Sequence, residues 1–222
     1  MLSMIFKRVA LIAGLLGGAV FGSPQALAED NVGQPSPAQL RAALLQPTDL
    51  GSDFVRRKIR YRKPLLDRDY VHTKACAQAV NRVAPLYRSK TATWIVRGEL
   101  AEGINQFIVS GTASRTAALE RAAKVMVRDC AKGRAARLKK DPGATATITK
   151  LPVGKLGSGM RYRLMEPRNS DDPTMVVDMV IIRVENTLIA LEYSCFYTEY
   201  DPDLTRSAAK TATAKLQKAL KQ

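Results

Sequence analysis

The chain predicts one α+β domain: an antiparallel β-sheet of about six strands packed by helices, mainly on one face. Three observations lead there. Strand-like runs are joined by turns too short for anything but antiparallel pairing. Segments with apolar residues at three- and four-residue spacing stand before, between and after those runs, an α+β order rather than alternating βαβ units. The 222 residues, less an export signal at the start, suit one core and would cramp two.

Residues 1–28 read as a cleavable secretory signal peptide. Lys7-Arg8 form its basic start and residues 9–21 its uncharged apolar middle; Ala26-Leu27-Ala28, after the helix breaker Pro24, is a small-residue cleavage site. A membrane-spanning helix needs about 20 apolar residues. The uncharged run over 9–27 reaches that length only by counting Gly, Ser, Pro and Gln. With no cysteine beside the site, lipid attachment is excluded, and Lys-Arg in place of Arg-Arg points to the general secretory route. The next most apolar stretch, 175–191, holds Asp178, Arg183 and Glu185, charges that are costly at membrane depth. A mature protein that is soluble or peripherally bound follows.

The elements come in this order. Residues 29–37, EDNVGQPSP, form a polar flexible linker, and 38–222 form the domain. A short helix over 38–45 stops at Pro47, whose ring and missing N–H end it, and 47–51 make a turn. From 54 to 63 the chain reads FVRRKIRYRK, six cations in ten residues. A second helix fits 72–86, with Cys76, Ala79, Val80 and Val83 on one stripe. Strands over 92–99 and 104–111 flank a turn ending in Gly103, and a third helix over 114–131 aligns Leu119, Ala122, Ala123, Met126 and Cys130. A basic loop, KGRAARLKK, spans 132–140 and leads to a turn at Pro142-Gly143. Strands over 145–150, 160–165, 174–184 and 187–197 complete the sheet, the last two joined at Glu185-Asn186, where Asn tolerates positive φ. Asp201-Pro202, an N-cap followed by proline, opens a last helix that turns Leu204, Ala208, Ala212, Leu216 and Leu220 inward.

Export governs how charge and cysteines are read. The net charge is +15, and +13 once Lys7 and Arg8 are removed. Such an excess favours anionic partners; outside the membrane these are lipid headgroups, wall polymers and acidic polysaccharides rather than nucleic acid. General solubility explains the charge equally well. In an oxidising compartment thiols pair, and Cys76, Cys130 and Cys195 allow three pairings. Cys76 and Cys130 both lie on apolar stripes of helices that pack on one sheet, which favours a disulfide between them. That bridge closes a loop of over fifty residues and contributes about 4 kcal/mol on the loop-entropy model. Cys195 follows Ile189, Leu191 and Tyr193 at alternate positions, where a buried thiol fits; pairing with either other cysteine is the alternative.

No cofactor or metal motif emerges. His72 is the single histidine, there is no Cys-x-x-Cys, and a surface position explains His72 better than a catalytic one. Gly154, Gly157 and Gly159 lie in LPVGKLGSG, but Lys155 is followed by Leu156 and a strand, not by Ser/Thr and a helix, so turns account for them. Glu199, Asp201 and Asp203 are interrupted by Pro202 and read as capping rather than calcium binding. The basic segment is the feature most open to function. In an extended chain Arg56, Lys58, Arg60 and Arg62 share a face, opposite Arg57, Ile59, Tyr61 and Lys63, and four aligned cations can hold polyphosphate or polycarboxylate. The alternative is a solvated edge strand whose charges discourage aggregation.

The helix ending in LLQPTDLG, the two cysteine-bearing helices with paired strands between them, the segment LPVGKLG and the strand IIRVENTLIAL together resemble a known group over roughly 40–220. The group is the extracytoplasmic sensor domains of actinobacteria, found on PknH-type receptor Ser/Thr kinases and as stand-alone secreted or lipid-anchored proteins. The resemblance implies a disulfide between the two helices, hence Cys76 with Cys130, and a binding or sensing module of the cell envelope. This chain departs from the pattern at Glu185-Asn186, where the group has Gly-Asn, and it has too few cysteines for the two bridges of some members. The expectation is therefore an exported, non-enzymatic sensor-like domain binding a small molecule or anionic envelope component. The alternative is a basic, adhesin-like binder of wall polymer or lipid headgroups. No pair of carboxylates suggests a reaction.

Overall fold

The computed structural model describes residues 34–59, 62–64, 73–98, 102–132, 136–137, 143–166, 173–197 and 199–222. The signal peptide, most of the linker, Arg60, Tyr61, His72 and Pro142 lie outside these residues. Among the described residues there are eight strands: β1 (Phe54–Arg57), β2 (Thr91–Arg97), β3 (Glu102–Ser110), β4 (Ala136–Arg137), β5 (Thr145–Lys150), β6 (Ser158–Met165), β7 (Met175–Val184) and β8 (Thr187–Phe196). The helices are α1 (Pro37–Ala42), α2 (Lys74–Val83), α3 (Ala113–Cys130) and α4 (Pro202–Leu220).

The strands form one antiparallel sheet in the order β1-β2-β3-β8-β7-β6-β5-β4. This is the α+β class expected, with two strands more than the six read from the sequence. The additions are β1, cut from the basic segment, and β4, a two-residue rung inside the basic loop. The β7–β8 hairpin closes between Val184 and Thr187 as predicted, but the residue at positive φ is Glu185 (φ 51), not Asn186. A β-carbon there crowds the following carbonyl, the conformation that glycine adopts freely.

The helices do not gather mainly on one face. The disulfide-joined pair α2 and α3 packs on one side with Phe107, Tyr162, Met179, Leu188 and Ala190. Helices α1 and α4 pack on the other with Ile95, Ile104, Val180, Ile189 and Leu191. The cause is legible in the central strands: nine of ten β8 residues and eight of ten β7 residues are buried. Such continuous apolar runs need cover on both faces.

Local signals set the helix limits. Ser36 and Gln39 make a reciprocal capping box at the start of α1. Thr73 caps α2 by accepting from the Cys76 N–H, and α2 ends at Val83 because Pro85 follows; a 3₁₀ segment over Ala84–Arg88 then carries Leu86 and Tyr87 into the core. The loop after α1 is pinned from below. Gln106 on β3, wholly buried, accepts from the Leu45 N–H at 2.6 Å and donates to the Ala43 carbonyl at 3.3 Å.

Candidate functional site

The first groove to consider forms where β1 leaves the sheet. The ladder between β1 and β2 runs from Phe54 opposite Arg97 to Arg57 opposite Trp94, and there it stops. Continued one step, it would set Lys58 against Thr93. The ladder goes no further, and Ala92 and Thr93 on β2 form the floor of an open groove of about 370 Å³. Leu44 and Ile59 supply its apolar walls; Arg56, Arg57, Lys58 and Arg62 supply its charge.

Two of these cations are held by neutral acceptors. Arg56 donates to Oε1 of Gln46 at 2.5 Å, and Arg62 donates to the Ser89 carbonyl at 2.5 Å. Among the described residues none of the four has a carboxylate partner, and no acidic side chain lines the groove. The nearby acid Asp53 is directed to Arg97, 3.5 Å away. Among the described residues, four positive charges thus gather around one depression with no carboxylate beside them. On its floor, Thr93 is only 3% exposed, and its buried hydroxyl has no hydrogen-bond partner.

The sequence placed Arg56, Lys58 and Arg62 together, and the groove brings them together; Arg60 lies outside the described residues. Arg57, assigned to the opposite face by strict alternation, lines the same groove because regular strand geometry ends at that residue. Thr93 was missed. Its signal was parity: it shares a strand face with Ile95, so a hydroxyl at that position is turned inward.

A second groove of about 560 Å³ lies between the β7–β8 hairpin and the C-terminal part of α4. Its charges are mixed. Arg183 there is bound to Glu120 at 3.0 Å and to the Glu185 carbonyl at 2.8 Å, with Glu185 also on the rim.

Under α4 runs a buried polar network. Arg161 on β6 grips Asp178 on β7 through Nε at 2.7 Å and Nη2 at 3.1 Å, with its guanidinium 4.5 Å from the Tyr200 ring centre. Tyr200 and Thr205 both donate to Oδ2 of Asp178, at 2.6 and 2.7 Å. Alongside, Tyr193 donates to Glu102 at 2.6 Å, and Glu102 holds Arg97. Burial first, then the hydrogen bonds to Asp178 and Glu102, push the hydroxyls of Tyr200 and Tyr193 well above the usual phenol range. Every charge is matched, so the network anchors α4 and offers no reactive group.

The remaining candidates resolve into structure. Cys76 and Cys130 form a disulfide, 54 residues apart in sequence. Cys195 stays a buried thiol, directed at the Glu199 carbonyl 3.7 Å away. Asp201 caps α4 by accepting from the N–H groups of Asp203 and Leu204 at 2.8 and 3.2 Å, and Asp203 pairs with Arg206. Gly157 serves close packing: a β-carbon there would fall 2.2 Å from the Ile181 carbonyl oxygen. Among the described residues no cluster of His, Cys, Asp and Glu is arranged for a metal, and no helix is long and apolar enough to cross a membrane.

The fold of this chain is thus an antiparallel sheet covered on both faces, one of them by a disulfide-joined helix pair. The crystal structure of the extracellular domain of PknH from Mycobacterium tuberculosis is similar, with a TM-score of 0.54 over 84% of this chain and 99% of that one. Identity is 14%, so the likeness is one of fold. No family model and no curated protein matches the sequence.

Proposed function

We propose that this protein is an exported, non-enzymatic binding domain of the cell envelope, sensor-like in architecture. The observation that carries the reading is the fold likeness, which spans nearly the whole of a kinase's extracellular domain. The Cys76–Cys130 bridge agrees with it, since such bonds persist in oxidising compartments. So does the signal-like start of the sequence. A binding domain needs an accessible depression with unsatisfied chemistry, and the cationic groove at the end of β1 has both.

The test is export. A C-terminally tagged full chain, expressed in an actinobacterial host, is expected outside the cytoplasmic membrane with its N-terminus at Glu29 by mass spectrometry. An uncleaved chain retained in the cytoplasm, with Cys76 and Cys130 reduced, would overturn the reading.

A further inference from the structure

The cationic groove at the end of β1 has features of a site for one kind of chemical group. We propose that it binds a phosphate group, with Arg56, Arg57, Lys58 and Arg62 as its cationic walls and the Thr93 hydroxyl as the donor on its floor. The inference rests on the reading of the protein as a binding domain and adds the ligand class.

Two independent observations meet here. The first is charge. Among the described residues, four cations line the groove and no acidic one does, and the bonds that Arg56 and Arg62 make there go to neutral oxygens. Such a group repels itself until an anion arrives, and an anion of two or more charges relieves it best. The second is the hydroxyl of Thr93. Burying a donor without an acceptor is costly, and native proteins do so rarely. A ligand oxygen entering the groove would supply the missing acceptor.

The arrangement suits phosphate better than carboxylate. A carboxylate is planar and is saturated by one or two guanidinium forks. Here donors come from the wall at Arg56 to Lys58, from Arg62 and from the floor at Thr93. A tetrahedral group with several acceptor oxygens can meet all of these directions. Leu44, Ile59 and Ala92 leave an apolar margin beside it. That margin accommodates a phosphate monoester or diester as readily as the free ion, so a soluble phosphate and a lipid headgroup share the required chemistry.

Isothermal titration of the oxidised protein with pyrophosphate, with glycerol phosphate and with acetate tests the site. A parallel arm measures sedimentation with phosphatidylglycerol and phosphatidylcholine vesicles. One phosphate-bearing probe is expected to bind at a single site per chain, with acetate at least tenfold weaker. Arg57→Gln should weaken it about tenfold. Thr93→Val should weaken it about threefold to tenfold while raising the melting temperature of the ligand-free protein, because a buried hydroxyl without a partner is gone. Thr93→Ser, which keeps the hydroxyl, should restore binding. Binding of the soluble probe identifies a free phosphate ligand; binding of phosphatidylglycerol vesicles alone identifies a headgroup; both require Thr93. Equal binding by Thr93→Val and the unaltered protein would reduce the groove to diffuse charge and overturn the proposal. So would an absence of binding to every phosphate probe. If that absence accompanies normal export, only the ligand class fails. If phosphate binds but the chain stays in the cytoplasm, the envelope reading fails and the site stands.

Discussion

Asp178 has no exposed surface, and Arg161 on the neighbouring strand meets both of its carboxylate oxygens, at 2.7 and 3.1 Å. The same carboxylate receives Tyr200 and Thr205, which brackets the start of α4. One side chain therefore ties two strands to the helix that covers them.

Removing that carboxylate strands a guanidinium that is only 15% exposed. Asp178→Ala should lower the unfolding free energy by about 3–5 kcal/mol, read as a shifted urea midpoint with unchanged slope. Replacing Asp178 and Arg161 together by leucine and methionine should cost much less, because no charge is then left buried alone.

Three tyrosines should ionise only when the protein unfolds. Tyr87 is driven up by burial and then by the adjacent Glu192 carboxylate; Tyr193 and Tyr200 are driven up by burial and then by Glu102 and Asp178. The sign follows from their protonated folded state. Their contribution to stability is fully present below about pH 10, the unfolded value, and is lost as pH rises through the higher folded values. Tyrosinate absorbance in an alkaline titration should show Tyr87, Tyr193 and Tyr200 appearing together with loss of structure. In Tyr200→Phe the fall of stability above about pH 10 should be shallower.

With the bridge intact, the denatured, unreduced chain should offer one reactive thiol, Cys195. Three would contradict the disulfide. Replacing Cys76 and Cys130 by alanine should lower stability by about 4 kcal/mol, the loop entropy for a 54-residue separation.

Gly157→Ala would set a methyl group 2.2 Å from the Ile181 carbonyl, which belongs to the backbone of a central strand and cannot turn aside. The expected loss is about 2 kcal/mol or more, with β6 and β7 losing amide protection first in hydrogen exchange.

Much of this architecture was legible because its signals are local. Asp201-Pro202 marks the start of α4 through capping chemistry, and the alternation of Ile189, Leu191, Tyr193 and Cys195 marks one face of β8. The helix stripes that carry Cys76 and Cys130 brought the two cysteines within bonding range as expected. Which face each helix covers was harder. The alternation in β8 drew attention to one face, whereas Leu188 and Ala190 at the other alternate positions require a second cover. At the hairpin, residue preference favoured Asn186 for positive φ, but the register fixed by nine consecutive β3–β8 pairs and ten β7–β8 pairs puts Glu185 there. The basic segment showed its cations but not its floor. Whether β1 stays on β2 beyond Arg57 depends on tertiary packing, and the groove that Thr93 lines lies where that ladder ends.

The disulfide also divides the polypeptide into a covalent ring and two tails. Ala92 and Thr93 lie within the ring closed by Cys76 and Cys130, whereas Leu44 and the four cations belong to the N-terminal tail. The groove is therefore a seam between a cross-linked part of the chain and one held only by contacts. A phosphate seated across it would act as a removable second cross-link, fastening β1 and the segment leading to it. Each tenfold rise in ligand above its dissociation constant would strengthen that fastening by about 1.4 kcal/mol, and dilution would release it.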